Sequence, residues 1–589
     1  MPLIKIIFQN HRFNKIIKEN FFIIDSNQLD IVESHMYGYS INKNGILTDN
    51  YYKNLGYYDE PDPQGTYVMV RKIGNEIKIN QDFCGSYGIY IYQNKKTDYF
   101  VISNSFLLIE EYLIGKQKIT LNKEFADTLL VSKLCSPSIY ETLINEIIMI
   151  PANTALIINI EKKKFNTSYI NYEENTIPLE SENGVKIIDK WVEKWGYIFR
   201  SLKNHTDNLS FDLSGGYDSR LILSILLNSG LDMNKILIHT AKDNKNPSHE
   251  EDFKIASNIS SYFRFKLNQY NLDNKSTIWS KEDTLYTTLY PKLGFHKEFY
   301  WQNKFHYKPR FVITGCGGEI LRGYPGQQIS QYIERLSLQG NQVRGNEKQF
   351  YTSINRLCNR SINKLKNKNK YVNDYEISSA LYFKGRVRNH FGKAAVEGFL
   401  SNTYLIQPLI DPDIKKIKIN ISGKYPHDLI AYIYYRFAKD LIYFPLQGNR
   451  ILNFKSIKKA EKINKYCKPY KIKMDLNKNY YIDIKRISPV HSSIKSKNVD
   501  DYVIGYIKQY NFKKNIKKVY GKEIYQWIIE QGKNTNFFPL RHLYALLAIE
   551  ITIHYISLNN KLMKQKSNRN KSLSYRKYSE LFFSKKIYK

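Results

Sequence analysis

Residues 210–223 read SFDLSGGYDSRLIL, and this stretch restricts the fold of the chain more tightly than any other. Leu209, Phe211 and Leu213 alternate as in a strand, and apolar residues resume with helical spacing at Leu221, Leu223, Ile225, Leu226 and Leu227. Between them lie Ser214, Gly215, Gly216, Tyr217, Asp218 and Ser219. A strand that breaks at glycines and re-enters as a helix leaves N–H groups at the helix start without intrahelical partners. The helix dipole adds partial positive charge at the same place, so such a junction cradles phosphate. Gly215 and Gly216 let the backbone approach an anion, and Ser214 and Ser219 supply hydroxyl donors. Asp218 would repel bare phosphate, which makes it a candidate Mg2+ ligand. No Gly-Lys-Ser/Thr follows, so this is not a Walker loop.

Residues 214–219 resemble the SGGxDS loop of the ATP pyrophosphatases, enzymes that adenylate a substrate and release pyrophosphate. A second glycine turn stands at 311–324, FVITGCGGEILRGY. It resembles the SGEGSDE or GxGGDE segment of class B asparagine synthetases and their β-lactam-forming and lasso-peptide-cyclase relatives. That resemblance implies that Gly315, Gly317 and Gly318 line the nucleotide and that Glu319 is the second Mg2+ carboxylate beside Asp218. Mg2+ rarely uses an all-protein cage, so two carboxylates and the ATP phosphates suffice. Arg322 meets pyrophosphate or caps its helix. Cys316 stands where asparagine synthetases have a catalytic glutamate and β-lactam-forming members a tyrosine. It is either a weak acid/base, given nearby positive charge, or a small apolar filler.

The same resemblance extends to other segments. Residues 235–240 (KILIHT) read as the next strand, and the family holds adenine by backbone at its end, here Thr240 and Ala241. A helix is expected from 248 through 259, with Ser248 as N-cap and Glu251 as its capping-box partner. A third strand is expected at 263–267. Residues 404–412 resemble a PFLDP segment that shapes the acceptor pocket, and a helix is expected over 427–442. A pyrophosphate-binding base follows it in the family; Arg450, Lys455 and Lys458 are the candidates here. Strands alternating with helices imply a parallel sheet with ligands at the strands' C-terminal ends.

Residues 1–161 carry short alternating runs (65–71, 76–80, 89–92, 99–102) separated by tight turns, the pattern of stacked antiparallel sheets. With Asp82, Gly85, the line YFVISNSFLLIEEYL and Ile150-Pro151-Ala152-Asn153-Thr154, this half is similar to the glutaminase-type domain of the same synthetases. That enzyme uses an N-terminal cysteine; here position 2 is Pro2 and the nearest cysteine is Cys84. Glutamine is therefore not the expected nitrogen donor.

The expected fold is α/β. An N-terminal αββα (Ntn-hydrolase-like) sandwich spans 1–161, and a connecting helix region spans 162–207, with the helix at 187–202. A parallel ATP-pyrophosphatase-type sheet spans 208–470. A helical C-terminal extension, 471–589, is expected to pack on the synthetase domain. The expected activity is ATP- and Mg2+-dependent amide (C–N) bond formation between a small-molecule or peptide carboxylate and an amine, through an acyl-adenylate. Three other readings share the motifs: a genuine asparagine synthase, a tRNA-modifying adenylator and a non-catalytic scaffold relic.

Charge and cysteines bound the alternatives. The net charge is +34, carried mostly by Lys spread among Asn, Ile and Tyr, a mixture that AT-rich coding also produces, so nucleic acid is not the expected partner. The five cysteines lack CxxC spacing, which argues against structural zinc and against a disulfide framework. No apolar run reaches the roughly 18 residues of a membrane helix. No signal peptide is seen, so the cytoplasm is the expected compartment. A homo-oligomer stays open.

Overall fold

The computed structural model describes residues 19–568 apart from 132–137, 171, 173–175, 243–245, 270–275, 279–280, 296–303, 323–327, 338–346, 367–372, 419–426, 468–469, 471–479, 484–509 and 532–539. Pro2, Cys135 and the basic tail beyond 568 lie outside the described residues, as does the Arg322 side chain.

The architecture is mixed α/β. Alternating sequence in the N-terminal half becomes two sheets. The strand Ile23–Asp25 pairs with Tyr99–Ser103, which pairs with Ile89–Asn94 and then Ile147–Ile150, all antiparallel. The second sheet runs Lys164–Tyr169, Thr154–Asn159, Glu76–Gln81, Gly65–Ile73, His35–Asn42, Gly45–Leu47, Tyr481–Ile482, antiparallel except for the last pair. The strands expected in this half are all present. Ile89, Ile91 and Val101 of the first sheet share one apolar cluster with Val68, Val70, Ile77 and Ile79 of the second, so the sheets face each other.

The third sheet is parallel and has the chain order second–first–third–fourth: Leu237–His239, Leu209–Asp212, Arg310–Ile313, Thr403–Ile406. Leu209, Phe211, Phe311 and Ile313 point to one face and are buried against the helix Glu182–His205, which contributes Ile188, Trp191, Trp195 and Phe199. That helix brackets the expected span 187–202. Its Trp195 indole donates to Asp411 Oδ2 at 2.8 Å, and Lys194 pairs with the same carboxylate at 2.7 Å. Asp411, in the segment expected to shape an acceptor pocket, is fully buried and also caps the turn Pro412–Lys415. It fastens helix to sheet.

Several expectations are corrected. The helix expected at 248 begins one residue earlier, Pro247–Phe263, and Asn246 caps it by accepting from Ser248 N–H at 3.1 Å. Proline at the first helical position fixes the start, because its absent N–H is one the helix leaves unpaired anyway. No strand forms at 263–267: Arg264 takes a left-handed conformation (φ 60°) that ends the helix. The helix expected over 427–442 stops at Phe437 (Asp428–Phe437) and continues as a 3-10 turn, Lys439–Tyr443, after Ala438 leaves helical geometry.

The C-terminal helix Leu540–Asn568 joins the apolar cluster of the N-terminal sandwich and not that of the parallel sheet. Leu546, Leu547, Ile549 and Ile551 join the sandwich core, and Asn559 accepts from Gly115 N–H at 2.6 Å. The boundary at 208 is crossed in the same way. Leu289, Phe295, Phe350 and Ile354 belong to the sandwich cluster, although the chain places them within 208–470. Apolar side chains settle on whichever face is uncovered, and sequence distance does not restrain them.

This seam contains a titratable marker. Glu111 is buried and accepts from Tyr290 Oη at 3.0 Å and Tyr555 Oη at 3.1 Å; burial, against those hydrogen bonds, raises its pKa to about 8. Its ordinary value is 4.5, so between these two values the native state holds a proton that the unfolded chain releases. Stability therefore falls as pH rises from about 4.5 to about 8. Urea denaturation across this window should show that decline, and Glu111→Gln should make it shallower, Glu110 and Glu550 being raised by burial as well; an unchanged slope in the variant would exclude Glu111 as a source.

Candidate functional site

In a parallel sheet ligands bind where neighbouring strands send their connections in opposite directions. Leu209–Asp212 and Arg310–Ile313 are such neighbours, and both glycine turns sit at their C-terminal ends. The turns touch. A Cβ on Gly315 would lie 2.7 Å from Ser219 N, and one on Gly318 would lie 2.2 Å from Asp218 Cγ. Gly317 has φ +87°, and a Cβ there would lie 2.4 Å from Ile410. Only glycine allows this approach, which brings Asp218 and Glu319 to a single cleft of about 840 Å3.

Ser214, Ser219, Thr240, Ala241, Gly315 and Cys316 line the same cleft. Ser214 and Ser219 hydroxyls lie 3.0 Å apart, and Ser219 Oγ accepts from Ser214 N–H at 3.1 Å. The helix Tyr217–Leu227 starts at Gly216 without a side-chain cap, leaving its first turn in the anion-binding arrangement.

The loop's own N–H groups are engaged, contrary to the expectation that they stand unpaired. Gly216 N–H donates to Ser214 Oγ at 3.3 Å, and Gly215 N–H donates to Asp252 Oδ1 at 2.7 Å. Asp252 thus holds a carboxylate against the 214–219 turn. Sequence reasoning gave the acids of this helix a capping role. From behind, Gln447 N–H donates to Gly215 O at 3.1 Å and Arg220 Nη2 to the same oxygen at 3.2 Å. Glu251, expected in a capping box, accepts from Gly448 N–H at 2.7 Å.

Thr240 also departs from expectation. Its N–H already donates to Asn268 Oδ1 at 2.9 Å, but its Oγ1 is buried without a hydrogen-bond partner and borders the cleft. Arg450 is not among the cleft-lining residues: its guanidinium lies 5.6 Å from the Tyr217 ring, and its Nε donates to Gln447 O at 2.7 Å. Lys455 and Lys458 are exposed on the helix Phe454–Lys465.

Cys316 accepts from Thr314 Oγ1 at 2.8 Å. Burial, and then the negative fields of Glu319, Asp212 and Asp218, push its thiol to about 12 against that hydrogen bond. The positive charge needed for an acid/base role is replaced by carboxylates, which favours the filler reading.

Sequence reasoning missed the polar face of the sheet. Side chains alternate along a strand, so Asp212, His239 (its register partner), Arg310 and Thr314 share the face opposite Phe211 and Phe311, and all four line the cleft. An acid and a base in strands otherwise apolar were the available signal, since parallel strands are usually apolar on both faces.

The residues present fit a Mg2+–nucleotide. The cleft borders the start of the helix Tyr217–Leu227, which has no side-chain cap, and is lined by the Thr240 hydroxyl, which has no hydrogen-bond partner, and by the carboxylates of Asp218 and Glu319. Among the described residues no cluster of three or more His, Cys, Asp or Glu side chains could hold a metal alone, so phosphate oxygens would complete the shell of an ion on Asp218 and Glu319. A scan against protein-family models finds no match, and a search of curated proteins finds none either.

A neutral thiol reacts slowly, because the thiolate is the nucleophile. Iodoacetamide labelling followed by peptide mass mapping should leave Cys316 nearly unmodified at pH 8 and label it only as pH approaches about 12; rapid labelling at pH 8 would contradict its carboxylate surroundings.

Proposed function

We propose that the chain forms an amide (C–N) bond at the expense of ATP, through an acyl-adenylate, releasing AMP and pyrophosphate. One observation carries this reading: two glycine turns in contact at the switch point of a parallel sheet direct Asp218 and Glu319 into one cleft. A substrate carboxylate oxygen attacks the α-phosphorus and pyrophosphate departs. An amine then attacks the activated carbonyl, loses a proton, and AMP leaves. Ser214, Gly215, Gly216, Ser219 and the first turn of Tyr217–Leu227 hold pyrophosphate. Asp218 and Glu319 would hold Mg2+, which would supply positive charge against the phosphates. Thr240 and Ala241 border the nucleoside, and Gly315, Gly317 and Gly318 give it room.

The nitrogen comes from a source other than glutamine. Cys84 is the described thiol of the sandwich; it is buried, and burial followed by the Asp82 charge raises its pKa far above the ordinary range. Beside it, Arg388 donates to Ile150 O at 2.8 Å and the buried Lys393 contacts Tyr87 O, so cations from the synthetase half fill this interior. A thiol so placed supports no amide hydrolysis.

Pyrophosphate release should be assayed with MgATP and candidate carboxylates. Asp218→Ala should lower the rate by about a hundredfold or more, with a parallel loss of Mg2+-dependent ATP binding in calorimetry. A variant as fast as the parent would remove Asp218 from the metal site.

Asp252 competes with any anion at Gly215, so Asp252→Asn keeps an acceptor for that N–H and removes a like charge. Pyrophosphate affinity with Mg2+ should rise about two- to fivefold by calorimetry; unchanged or weaker binding would show that the carboxylate stands clear of the phosphates.

A further inference from the structure

The edge of the parallel sheet ends in a contact that the glycine turns do not explain. The strand Leu237–His239 pairs on one side with Leu209–Asp212, and His239 O accepts from Leu213 N–H at 2.8 Å. On the other side a single residue meets the strand twice. Asn268 N–H donates to Ile238 O at 2.7 Å, and Asn268 Oδ1 accepts from Thr240 N–H at 2.9 Å. The side-chain amide stands in for the carbonyl of a neighbouring strand, where a third strand was expected and none forms. Asn268 takes left-handed backbone (φ 53°) in doing so, a conformation that asparagine tolerates better than most residues.

A backbone N–H can only donate, so the amide oxygen is fixed toward Thr240 and the NH2 group is turned elsewhere. Asn268 lines the cleft, and among the described residues none accepts from its Nδ2. Thr240, the residue it holds, is 7% exposed and also lines the cleft, and its hydroxyl has no partner among the described residues. A buried hydroxyl left unpaired destabilises a fold, and a ligand that pairs it removes the penalty.

Position and chemistry select the occupant. Both groups are neutral, so they offer a phosphate or a carboxylate less than the helix start and Arg310 do. Two strand spacings place Asn268 about 10 Å to the side of the 214–219 turn. Ribose is bonded directly to the phosphates and stays beside that turn, whereas the base is carried past it. On the opposite side the second glycine turn fills the space. Adenine presents a ring acceptor, N1, beside the donor of its 6-amino group, and a fixed N–H donor beside a hydroxyl matches that edge.

We propose that Asn268 reads the adenine of ATP, its Nδ2 donating to N1 while Thr240 Oγ1 accepts from the 6-amino group. This inference rests on the ATP-dependent activity proposed above. It adds a side-chain contact where the backbone was expected to serve, because Thr240 N–H is already taken by Asn268 itself.

Asn268→Asp keeps an oxygen for Thr240 N–H and removes the donor. Calorimetry with the full chain measures binding of MgATP, of Mg2+ with 1-deaza-ATP, in which N1 is a C–H, and of magnesium pyrophosphate, which has no base. The parent should bind ATP about tenfold more tightly than the analogue. Asn268→Asp should lose about tenfold for ATP, cease to distinguish the two, and hold pyrophosphate affinity within about threefold. Thr240→Val should weaken ATP about fivefold without lowering the melting temperature of the ligand-free chain, since it removes an unpaired hydroxyl. ATP binding that either substitution leaves unchanged, or an Asn268→Asp chain that still rejects the analogue, overturns the inference alone. Equal losses of pyrophosphate and ATP also overturn it, because they mark a merely structural role at the strand end. A parent chain that binds no ATP overturns the proposed activity, and this inference with it.

Discussion

The candidate site depends on a close approach of the second glycine turn to the backbone and side chain of the first. Gly315 and Gly318 lie so near Ser219 N and Asp218 Cγ that any Cβ would collide. The strands Leu209–Asp212 and Arg310–Ile313 supply the alignment, and burial of Leu209, Phe211, Phe311 and Ile313 supplies the energy, about 1.5–3 kcal/mol for each large apolar side chain. Asp411 fixes the covering helix through Lys194 and Trp195, so the sheet cannot shear without breaking a buried ion pair. Two acids about a hundred residues apart in sequence thereby face one cleft.

Much of this was legible locally. The strand–glycine–helix junctions, the short N-terminal strands and the helix before the first parallel strand each depend on a few neighbouring residues, and each is present. The misplaced boundaries also had local signals: Asn246-Pro247 fixes a helix start more firmly than Ser248, because the proline ring presets the backbone. Placement of the C-terminal helix had no such signal. The run around Leu546–Ile551 requires burial but does not specify the partner surface, and the answer lies with Glu111, Gly115 and the sandwich core hundreds of positions away.

The site divides along the same line. Ser214, Asp218 and Ser219 are set by the turn that carries them, and Gly315 and Glu319 were expected from the resemblance of the second turn to a family segment. Asp252, Arg310 and His239 reach the cleft only through helix direction and strand register, which a linear reading does not provide. Arg450 shows the reverse. Its position in the chain suggested a phosphate ligand, but its hydrogen bond directs its side chain to Gln447 and Tyr217.

The charges in the cleft constrain what it can bind. The chain carries +34, yet the described cleft lining holds Asp212, Asp218, Asp252 and Glu319 against Arg310 as the one strong base. This reversal is local: burial and then the carboxylates raise the Cys316 pKa, and burial and then Arg310 lower that of His239. A phosphate entering such a site meets a helix start that attracts it and acids that repel it. Only a cation between phosphate and acid turns that repulsion into binding, and Asp218 and Glu319 are too few to hold one alone. On the reading proposed above, the acids, the helix start and the absence of a three-ligand metal cluster among the described residues would form one electrostatic requirement, satisfied when metal and phosphate arrive together.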